Sequence, residues 1–334
     1  MQFDFNTEFE QMMQTSDLDT VVLLGHVNPD GDAAGSVMGL AHYIKINYPQ
    51  YTVLPYLADT LEKGPKKQVK ADKIFDPFKK PDLKGRRTAA IVCDTSLRTR
   101  IIGREYYEGA AATMVIDHHA SNEGYGKVNY TRISEACAEN IYNILDQKSL
   151  KKAVAAEESP TAADYIYLGI LHDTGGFTRV KASTMQAAAD LLAIGVDHSY
   201  VMHTMHNDTL ESLKKRFELL KSARYALEGA VAFISVSQAE KLAKGISYAD
   251  IHPISGLLCD CEGIELGFTL FEESNNVWRC SARSDGKWIN VNELLKPFGG
   301  GGHAAAAGLT KETDDVEQLK QQILKRIQFM KRSL

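Results

Sequence analysis

The first residues able to do chemistry lie in the segment His26-Val-Asn-Pro-Asp-Gly-Asp32, directly after an apolar run. One imidazole and two carboxylates occur within these seven residues, and Pro29 and Gly31 allow the backbone to turn between them. Mixed histidine and carboxylate donors suit manganese or magnesium better than zinc-thiolate or copper chemistry. A helix N-cap would explain one of the two aspartates, but not the other one or His26.

Three further groups of this kind follow along the chain. Asp94 comes after an apolar run, Asp117-His118-His119 ends the next one, and Asp173 closes a helical pattern. Adjacent side chains diverge, so one histidine of the pair could bind a metal while its neighbour contacts substrate. Asp117 could orient a histidine by accepting its second ring proton. Each group alone has a structural explanation as good as the functional one, but together they favour a metal centre.

The elements that must position these residues are predicted to form an α/β domain. Apolar β-branched runs alternate with helical patterns, which indicates a parallel sheet with helices on both faces. The predicted strands are 20–25, 52–57, 88–93 and 113–116, and the helices include 33–46, 135–146 and 161–172. In such a sheet ligands collect at the carboxyl ends of the strands. The first three groups are therefore expected to converge on that edge.

The second half of the chain has a different pattern. Residues from about 185 to 228 are helical in pattern, and strand-like runs then follow at 230–237, 264–271 and 277–284. Ser274-Asn-Asn between the last two runs predicts a hairpin turn. We therefore predict a metal-binding domain over 1–190, a helical linker over 191–225, and a smaller α/β substrate-binding domain with a mixed sheet over 226–334.

The last candidate site lies in this second domain, at Phe298-Gly-Gly-Gly-Gly-His-Ala304. Four consecutive glycines expose backbone amides and permit positive φ, so the loop could form an anion-binding nest with His303 projecting from it. Arg283, on the preceding predicted strand, could clamp a phosphate with two hydrogen bonds. A flexible hinge and a merely exposed strand arginine are the structural alternatives.

Composition limits the class of protein. An apolar fraction of 44% among 334 residues can bury a core, which excludes wholesale disorder. Five cysteines without C-x-x-C spacing argue against a disulfide framework and a structural zinc site, and favour the cytoplasm. No apolar run could span a bilayer, so no membrane partner is expected. The net charge of −5 gives no overall attraction to nucleic acid, and the lysine-rich stretch 63–84 is predicted to be an exposed connection.

Taken together, these motifs resemble a known family. Asp117-His118-His119, the pattern H-x-N-P-D-G-D-A-x-G-S at His26 to Ser36, and G-G-G-H at Gly300 to His303 look like the DHH phosphoesterase superfamily with its DHH-associated C-terminal domain. The resemblance covers residues from about 15 to 312. Length and the glycine pattern are most similar to the NrnA-type members, which degrade very short oligoribonucleotides and dephosphorylate adenosine 3′,5′-bisphosphate (pAp).

The resemblance implies two divalent ions, manganese first, with magnesium or cobalt as alternatives. It also implies phosphoester hydrolysis by a hydroxide held between them. The implied metal ligands are His26 and Asp30 for one ion, Asp32, His118 and Asp173 for the other, and Asp94 between them. His119 would touch the scissile phosphate, which makes Asp94, His118 and His119 the catalytic group. The implied substrate-binding residues are His119, Arg283, Gly300, Gly301, Gly302 and His303.

One departure from the family is Glu135-Ala-Cys137, which stands where relatives often have a Ser/Thr-rich helix start. It leaves the metal assignment intact but affects what is expected of the substrate contacts.

The expected partner is a short RNA or a nucleotide. No stable duplex DNA partner is expected, and a homodimer is left open. A phosphoanhydride hydrolase, of the pyrophosphatase or exopolyphosphatase kind, is the alternative enzyme, and the glycine-histidine loop counts against the pyrophosphatase. A non-catalytic nucleotide sensor is disfavoured because all six proposed metal ligands are present.

Overall fold

A computed structural model describes residues 3–15, 17–58, 61, 63–156, 158, 160–205, 209–285 and 288–332. The chain forms two compact units, Met1–Asn207 and Asp208–Leu334, each described here by itself. The finer division at 190 and 225 stays a prediction. Among the described residues, no helix combines the length and the apolar character needed to cross a membrane.

The first unit contains a five-stranded sheet in the order β2-β1-β3-β4-β5, in which all neighbours are parallel. Its strands are β1 (Thr20–Leu24), β2 (Thr52–Tyr56), β3 (Thr88–Cys93), β4 (Ala112–Asp117) and β5 (Val128–Thr131). Its helices are α1 (Phe5–Thr15), α2 (Gly31–Asn47), α3 (Lys63–Lys70), α4 (Arg104–Glu108), α5 (Cys137–Ile144), α6 (Gln147–Ala156), α7 (Ala162–Asp173), α8 (Ala182–Ala193) and α9 (His198–Met205).

Side chains alternate between the two faces of this sheet, and each face has its own apolar core. Val21 and Ile91 pack in the core that includes α1, α2, α5 and α7. Val22 and Val92 pack on the other face, with Tyr107 of α4. Burial on both faces is what makes the strands read as continuous apolar runs, and it confirms the predicted parallel α/β class.

Close packing of α2 against α7 positions the candidate site residues at the start of α2 and the end of α7. A Cβ on Gly35 of α2 would come within 2.4 Å of the Tyr165 carbonyl oxygen, and one on Gly169 of α7 would come within 2.9 Å of Asp32 Oδ1. Glycine at both positions therefore allows the two helix backbones to approach each other. This approach brings the first turn of α2 beside the last turn of α7.

The predicted exposed connection at 63–84 is wrong in part, because its first eight residues form α3. Gln68 and Val69 are buried on this helix, and Val69 belongs to the main core of the unit. Gly64 and Pro65 suggested a loop, but they occupy the helix start, where Pro is tolerated.

The second unit contains a six-stranded mixed sheet in the order β10-β11-β9-β8-β7-β6. Its strands are β6 (Arg224–Ala226), β7 (Val231–Val236), β8 (Leu266–Ser274), β9 (Val277–Ser284), β10 (Gly301–Gly302) and β11 (Ala306–Glu312). Its helices are α10 (Leu210–Lys221), α11 (Gln238–Lys244), α12 (Tyr248–Ile251), α13 (Ile254–Cys259), α14 (Val291–Leu295) and α15 (Val316–Arg332). Only the β7–β8 pair is parallel among these strands.

The mixed sheet and its hairpin confirm the prediction for this half of the chain. β8 and β9 are antiparallel, and the turn between them contains Asn276 at a φ of 60°. Asparagine tolerates this left-handed conformation better than most residues. One face of β9 packs Trp278 and Cys280 into a core with residues of α14 and α15.

Candidate functional site

The predicted site residues of the first unit lie at the carboxyl edge of the parallel sheet. His26 follows β1, Asp94 follows β3, and His118 follows β4. Asp30 is the N-cap of α2, where its Oδ1 accepts hydrogen bonds from the backbone amides of Asp32 and Ala33. The packing of α2 against α7 adds Asp173, the last residue of α7.

Two groups of three side chains form within this edge. In the first group, His26 Nε2 lies 3.8 Å from Asp30 Oδ2 and 3.6 Å from Asp94 Oδ2. In each group the potential ligand atoms all lie within 4.8 Å of one another. The second group consists of Asp32, His118 and Asp173.

His118 occupies the centre of the second group. Its Nε2 lies 3.9 Å from Asp32 Oδ2 and 3.5 Å from Asp173 Oδ2. The same atom lies 3.4 Å from Asp94 Oδ1. Asp94 therefore directs one carboxylate oxygen toward each group, and the structure brings all six predicted metal ligands together.

Asp32 is held from outside its own segment by the start of α5. The backbone N–H groups of Cys137 and Ala138 donate to its two oxygens over 2.6 and 2.9 Å. Sequence reasoning missed this contact, because any residue type supplies a backbone amide. It also explains why Glu135-Ala-Cys137 is compatible with the site: at this position the helix N-terminus, and not a Ser or Thr side chain, binds the carboxylate.

The two adjacent histidines are oriented by different acceptors. His118 Nδ1 donates to the Ser134 carbonyl over 3.2 Å, which directs Nε2 to the carboxylates. His119 Nδ1 donates to Asp117 Oδ1 over 2.8 Å, as the sequence suggested for one of the pair. Asn122, which the sequence did not single out, donates to the other oxygen of Asp117 over 2.7 Å.

Four carboxylates surround the two imidazoles of these groups, and the electrostatics favour added positive charge. Burial alone would lower the pKa of His118, but the nearby Asp94, Asp32 and Asp173 outweigh it and raise this pKa to about 11. Burial opposes ionisation of Asp94, yet the neighbouring imidazoles lower its pKa to about 2. Burial and the charges of Asp94 and Asp173 raise the pKa of Asp32.

Asp94 also carries the clearest sign of an unsatisfied site. Its Oδ1 atom is buried and makes no hydrogen bond to any residue that the structure describes. Its backbone adopts a φ of 50°, a strained conformation for a non-glycine residue. A buried carboxylate oxygen without a donor is costly unless a cation is bound there, so the residues present fit a divalent metal.

His172 is a further site residue that was not assigned a role from the sequence. Together with Asp30 and Asp173 it forms another set of close donor atoms. A Cβ on Gly31 would lie 2.4 Å from His172 Cγ, so glycine is needed here for the ring to fit. The only available signal was its position next to Asp173.

In the second unit the glycine loop is packed and is part of the sheet. Gly301 and Gly302 form β10, and a Cβ on Gly302 would lie 2.4 Å from the Ala306 carbonyl oxygen. The exposed His303 donates its backbone N–H to that same oxygen over 2.7 Å. Arg283 pairs in register with Ala306, which places it at the same end of the sheet as His303.

Family models match both units. The model of the DHH family N-terminal domain matches residues 20–170, and the model of the DHHA1 domain matches residues 229–328. The chain belongs to the DHH family. The edge cluster described above thus lies in its DHH domain, and Arg283 and His303 lie in its DHHA1 domain.

Named relatives of this DHH-family chain cover most of its length. It is 28% identical over 294 residues to the bifunctional oligoribonuclease and PAP phosphatase NrnA of Bacillus subtilis, covering 87% of this chain and 88% of the relative. It is 29% identical over 315 residues to a probable bifunctional oligoribonuclease and PAP phosphatase NrnA of Streptococcus mutans, covering 92% of this chain and 96% of the relative.

A crystal structure of an exopolyphosphatase-related protein from Bacteroides fragilis has the same fold, with a TM-score of 0.79 at 21% identity and 97% coverage of both chains. The family and its relatives place this chain among phosphodiesterase and phosphatase enzymes, and members of the family use divalent metals.

Proposed function

We propose that this chain is a manganese-dependent phosphoesterase with two metal ions that hydrolyses short oligoribonucleotides and the 3′-phosphate of pAp. The observation that carries the proposal is the position of Asp94. Its two oxygens lie 3.6 Å from His26 Nε2 and 3.4 Å from His118 Nε2. One carboxylate thus faces two separate donor groups, as a bridge between two cations requires.

The proposed ligands are His26 and Asp30 for one ion, Asp32, His118 and Asp173 for the other, and Asp94 for both. Their oxygen and imidazole donors suit manganese, with magnesium or cobalt as substitutes. When bound, two such ions supply charge stabilisation to a phosphoryl group and lower the pKa of a water molecule.

The protein's own residues hold the reacting group. His119 donates Nδ1–H to Asp117 over 2.8 Å. Burial lowers the pKa of His119, but Asp117 and Asp94 outweigh it and raise this pKa, so the protonated ring can donate Nε2–H to a phosphoryl oxygen. Asn122 keeps Asp117 in place, so that the carboxylate does not turn away from the ring. We assign His119 to phosphate binding, and Asp94 and His118 to the catalytic group that positions the ions.

The substrate assignment draws on the relatives and on the second unit. NrnA proteins are named for oligoribonuclease and PAP phosphatase activity. A pAp molecule and an RNA of three or more residues both contain a phosphate besides the one that reacts. We propose that Arg283, Gly300, Gly301, Gly302 and His303 bind this second phosphate or the nucleotide end. Arg283 offers a planar guanidinium suited to two phosphate oxygens.

A kinetic panel with manganese tests the proposal. Wild type is expected to hydrolyse pAp and RNA of two to five residues, and His303→Ala should mainly raise KM. Preferred hydrolysis of pyrophosphate or polyphosphate would establish the phosphoanhydride alternative instead. Binding of nucleotide with no turnover of any of these compounds would indicate a sensor and contradict the enzyme proposal.

A further inference from the structure

A strip of half-buried polar side chains runs along one face of β9 in the second unit, and Ser255 of α13 lies 3.2 Å from Ser281 in the middle of it. Side chains alternate along this strand, so Arg279, Ser281 and Arg283 share a half-buried face, while Trp278 and Cys280 are buried on the other. The strip ends at Arg283, which the proposed function assigns to a phosphate. Arg279 lies four residues away on the same face and has no role in that proposal.

An aromatic platform adjoins Arg279. Tyr248 of α12 keeps 42% of its surface exposed, and its ring lies 5.5 Å from that of the buried Phe271. The ring of His252 lies 5.3 Å from Tyr248, and the Arg279 guanidinium carbon lies 5.0 Å above the Tyr248 ring centre. Both of these rings are tilted by 48° to the Tyr248 ring, so a nucleobase can stack on the Arg279 guanidinium and on the exposed part of Tyr248.

The charge on Arg279 is already matched, which separates this place from a phosphate site. Arg279 Nη1 lies 3.1 Å from Glu273 Oε1, and the carboxylate would repel a phosphate. Arg283 donates to the oxygens of Ser281 and Ala282. Arg279 therefore suits the uncharged, planar part of a nucleotide.

Hydrogen bonds hold the short helix that carries Tyr248. Asp250, in the same short helix as Tyr248, accepts hydrogen bonds from the backbone amide and hydroxyl of Ser247 over 2.8 and 2.6 Å. Its other oxygen accepts a hydrogen bond from Ser212 of α10. A preformed stacking surface binds with less loss of conformational freedom.

We propose that Tyr248, Arg279 and His252 form a nucleobase-stacking subsite that binds a nucleotide beyond the one held at Arg283. Four strand residues separate Arg279 from Arg283 by about 13 Å, several times the ~3.4 Å rise per nucleotide of a stacked strand. The two arginines therefore contact different nucleotides. This inference rests on the proposed function, and it implies that the subsite favours substrates longer than pAp.

Steady-state kinetics on pAp and on a five-residue RNA test the inference. Tyr248→Leu keeps apolar contact with Phe271 but removes the aromatic ring, and Arg279→Ala removes the guanidinium. Each is expected to raise KM for the five-residue RNA about tenfold while leaving kcat/KM for pAp within about twofold. Tyr248→Phe should behave like wild type. Lys325→Ala removes an exposed positive charge on α15 and is the matched control for lost charge.

Equal KM changes for pAp and RNA, or none for either, would overturn the inference. Thermal unfolding of each variant checks folding, and Arg279→Lys, which keeps the charge but loses the planar group, is a second, milder variant.

A binding measurement separates this inference from the proposed function. Fluorescence anisotropy of a labelled five-residue RNA with the full chain in EDTA needs no catalysis. Weaker binding by Tyr248→Leu than by wild type supports the subsite even if no phosphoester is turned over, whereas equal binding contradicts it.

Discussion

Two buried clusters of histidine and aspartate lie toward opposite ends of the α2 and α7 pair. The edge cluster consists of His26, Asp30, Asp32, Asp94, His118 and Asp173. The brace cluster consists of His42, Asp72 and Tyr165, and His42 lies ten residues beyond Asp32, about 15 Å along α2. Both clusters pair histidine with aspartate, and the brace cluster adds a tyrosine.

Their hydrogen bonding differs. In the brace cluster, Asp72 Oδ2 lies 2.6 Å from His42 Nε2 and accepts from the Tyr165 hydroxyl over 2.8 Å. Asp72 Oδ1 accepts from the amides of Ile74 and Phe75. Both oxygens of this carboxylate are satisfied, whereas the edge cluster crowds four carboxylates around two imidazoles. The comparison teaches that a buried His–Asp cluster indicates ligand binding where a buried carboxylate oxygen lacks a hydrogen-bond donor among the described residues, as Asp94 Oδ1 does, and a structural role where both oxygens are satisfied.

The largest expected effect is the loss of activity in Asp94→Asn. This change keeps the side-chain size but removes the charge that faces both donor groups. We expect turnover of pAp with manganese to fall at least about 1,000-fold, or roughly 4 kcal/mol of transition-state stabilisation. The melting temperature in EDTA should not fall, because one of four crowded carboxylates is removed. Activity within tenfold of wild type would contradict the interpretation of the edge cluster as the catalytic metal site.

Asp72→Asn should give the opposite result. Removal of the charged partner from a satisfied buried pair is expected to lower the free energy of unfolding by about 3 kcal/mol, measured by urea denaturation. Turnover well below the melting temperature should be retained. Asp82→Asn is the matched control, since Asp82 also accepts a backbone hydrogen bond but is exposed.

The same pair predicts a pH dependence of stability. Burial raises the pKa of Asp72, but the contact with His42 outweighs it, so the folded-state pKa lies below the ordinary value of 3.8. The stabilisation is therefore present above that value and lost as pH falls through the lower, folded pKa. The difference in unfolding free energy between wild type and Asp72→Asn should shrink in this acidic range. A difference that grows there would contradict the assignment.

Added manganese should stabilise the variants of the two clusters to different extents. Manganese at a hundred times its Kd is expected to raise the unfolding free energy of wild type by about 2.7 kcal/mol, with a matching rise in melting temperature. Asp94→Asn should lose most of this rise and Asp72→Asn should keep it. An equal rise in all three proteins would mean that the metal binds elsewhere.

Tyr165→Phe should give the smallest effect. It removes one hydrogen bond to a charged, buried carboxylate, at an expected cost of about 1.5 kcal/mol in unfolding free energy. Tyr56→Phe is the control, because this buried tyrosine makes no hydrogen bond through its hydroxyl to a described residue. Equal stability of the two variants would show that the brace depends on packing alone.

Local spacing in the sequence was enough to predict much of the fold and the site. The apolar runs before Asp94 and Asp117 indicated parallel strands, and strands of that kind end at a common edge. The segment from His26 to Asp32 indicated a turn entering a helix. Such inferences succeed because backbone periodicity and steric turn preferences act over a few residues.

Tertiary structure alone decided the rest. Asp32 is held by amides 105 and 106 residues further along the chain, and Asp72 is bonded to residues 30 and 93 positions away. No local pattern encodes these pairings, because they depend on how α5 and the segment of Asp72 pack against α2 and α7. The sequence by itself determined which histidine and aspartate side chains this protein has. Packing decided which of their atoms lack a hydrogen-bond partner and so remain able to bind a ligand.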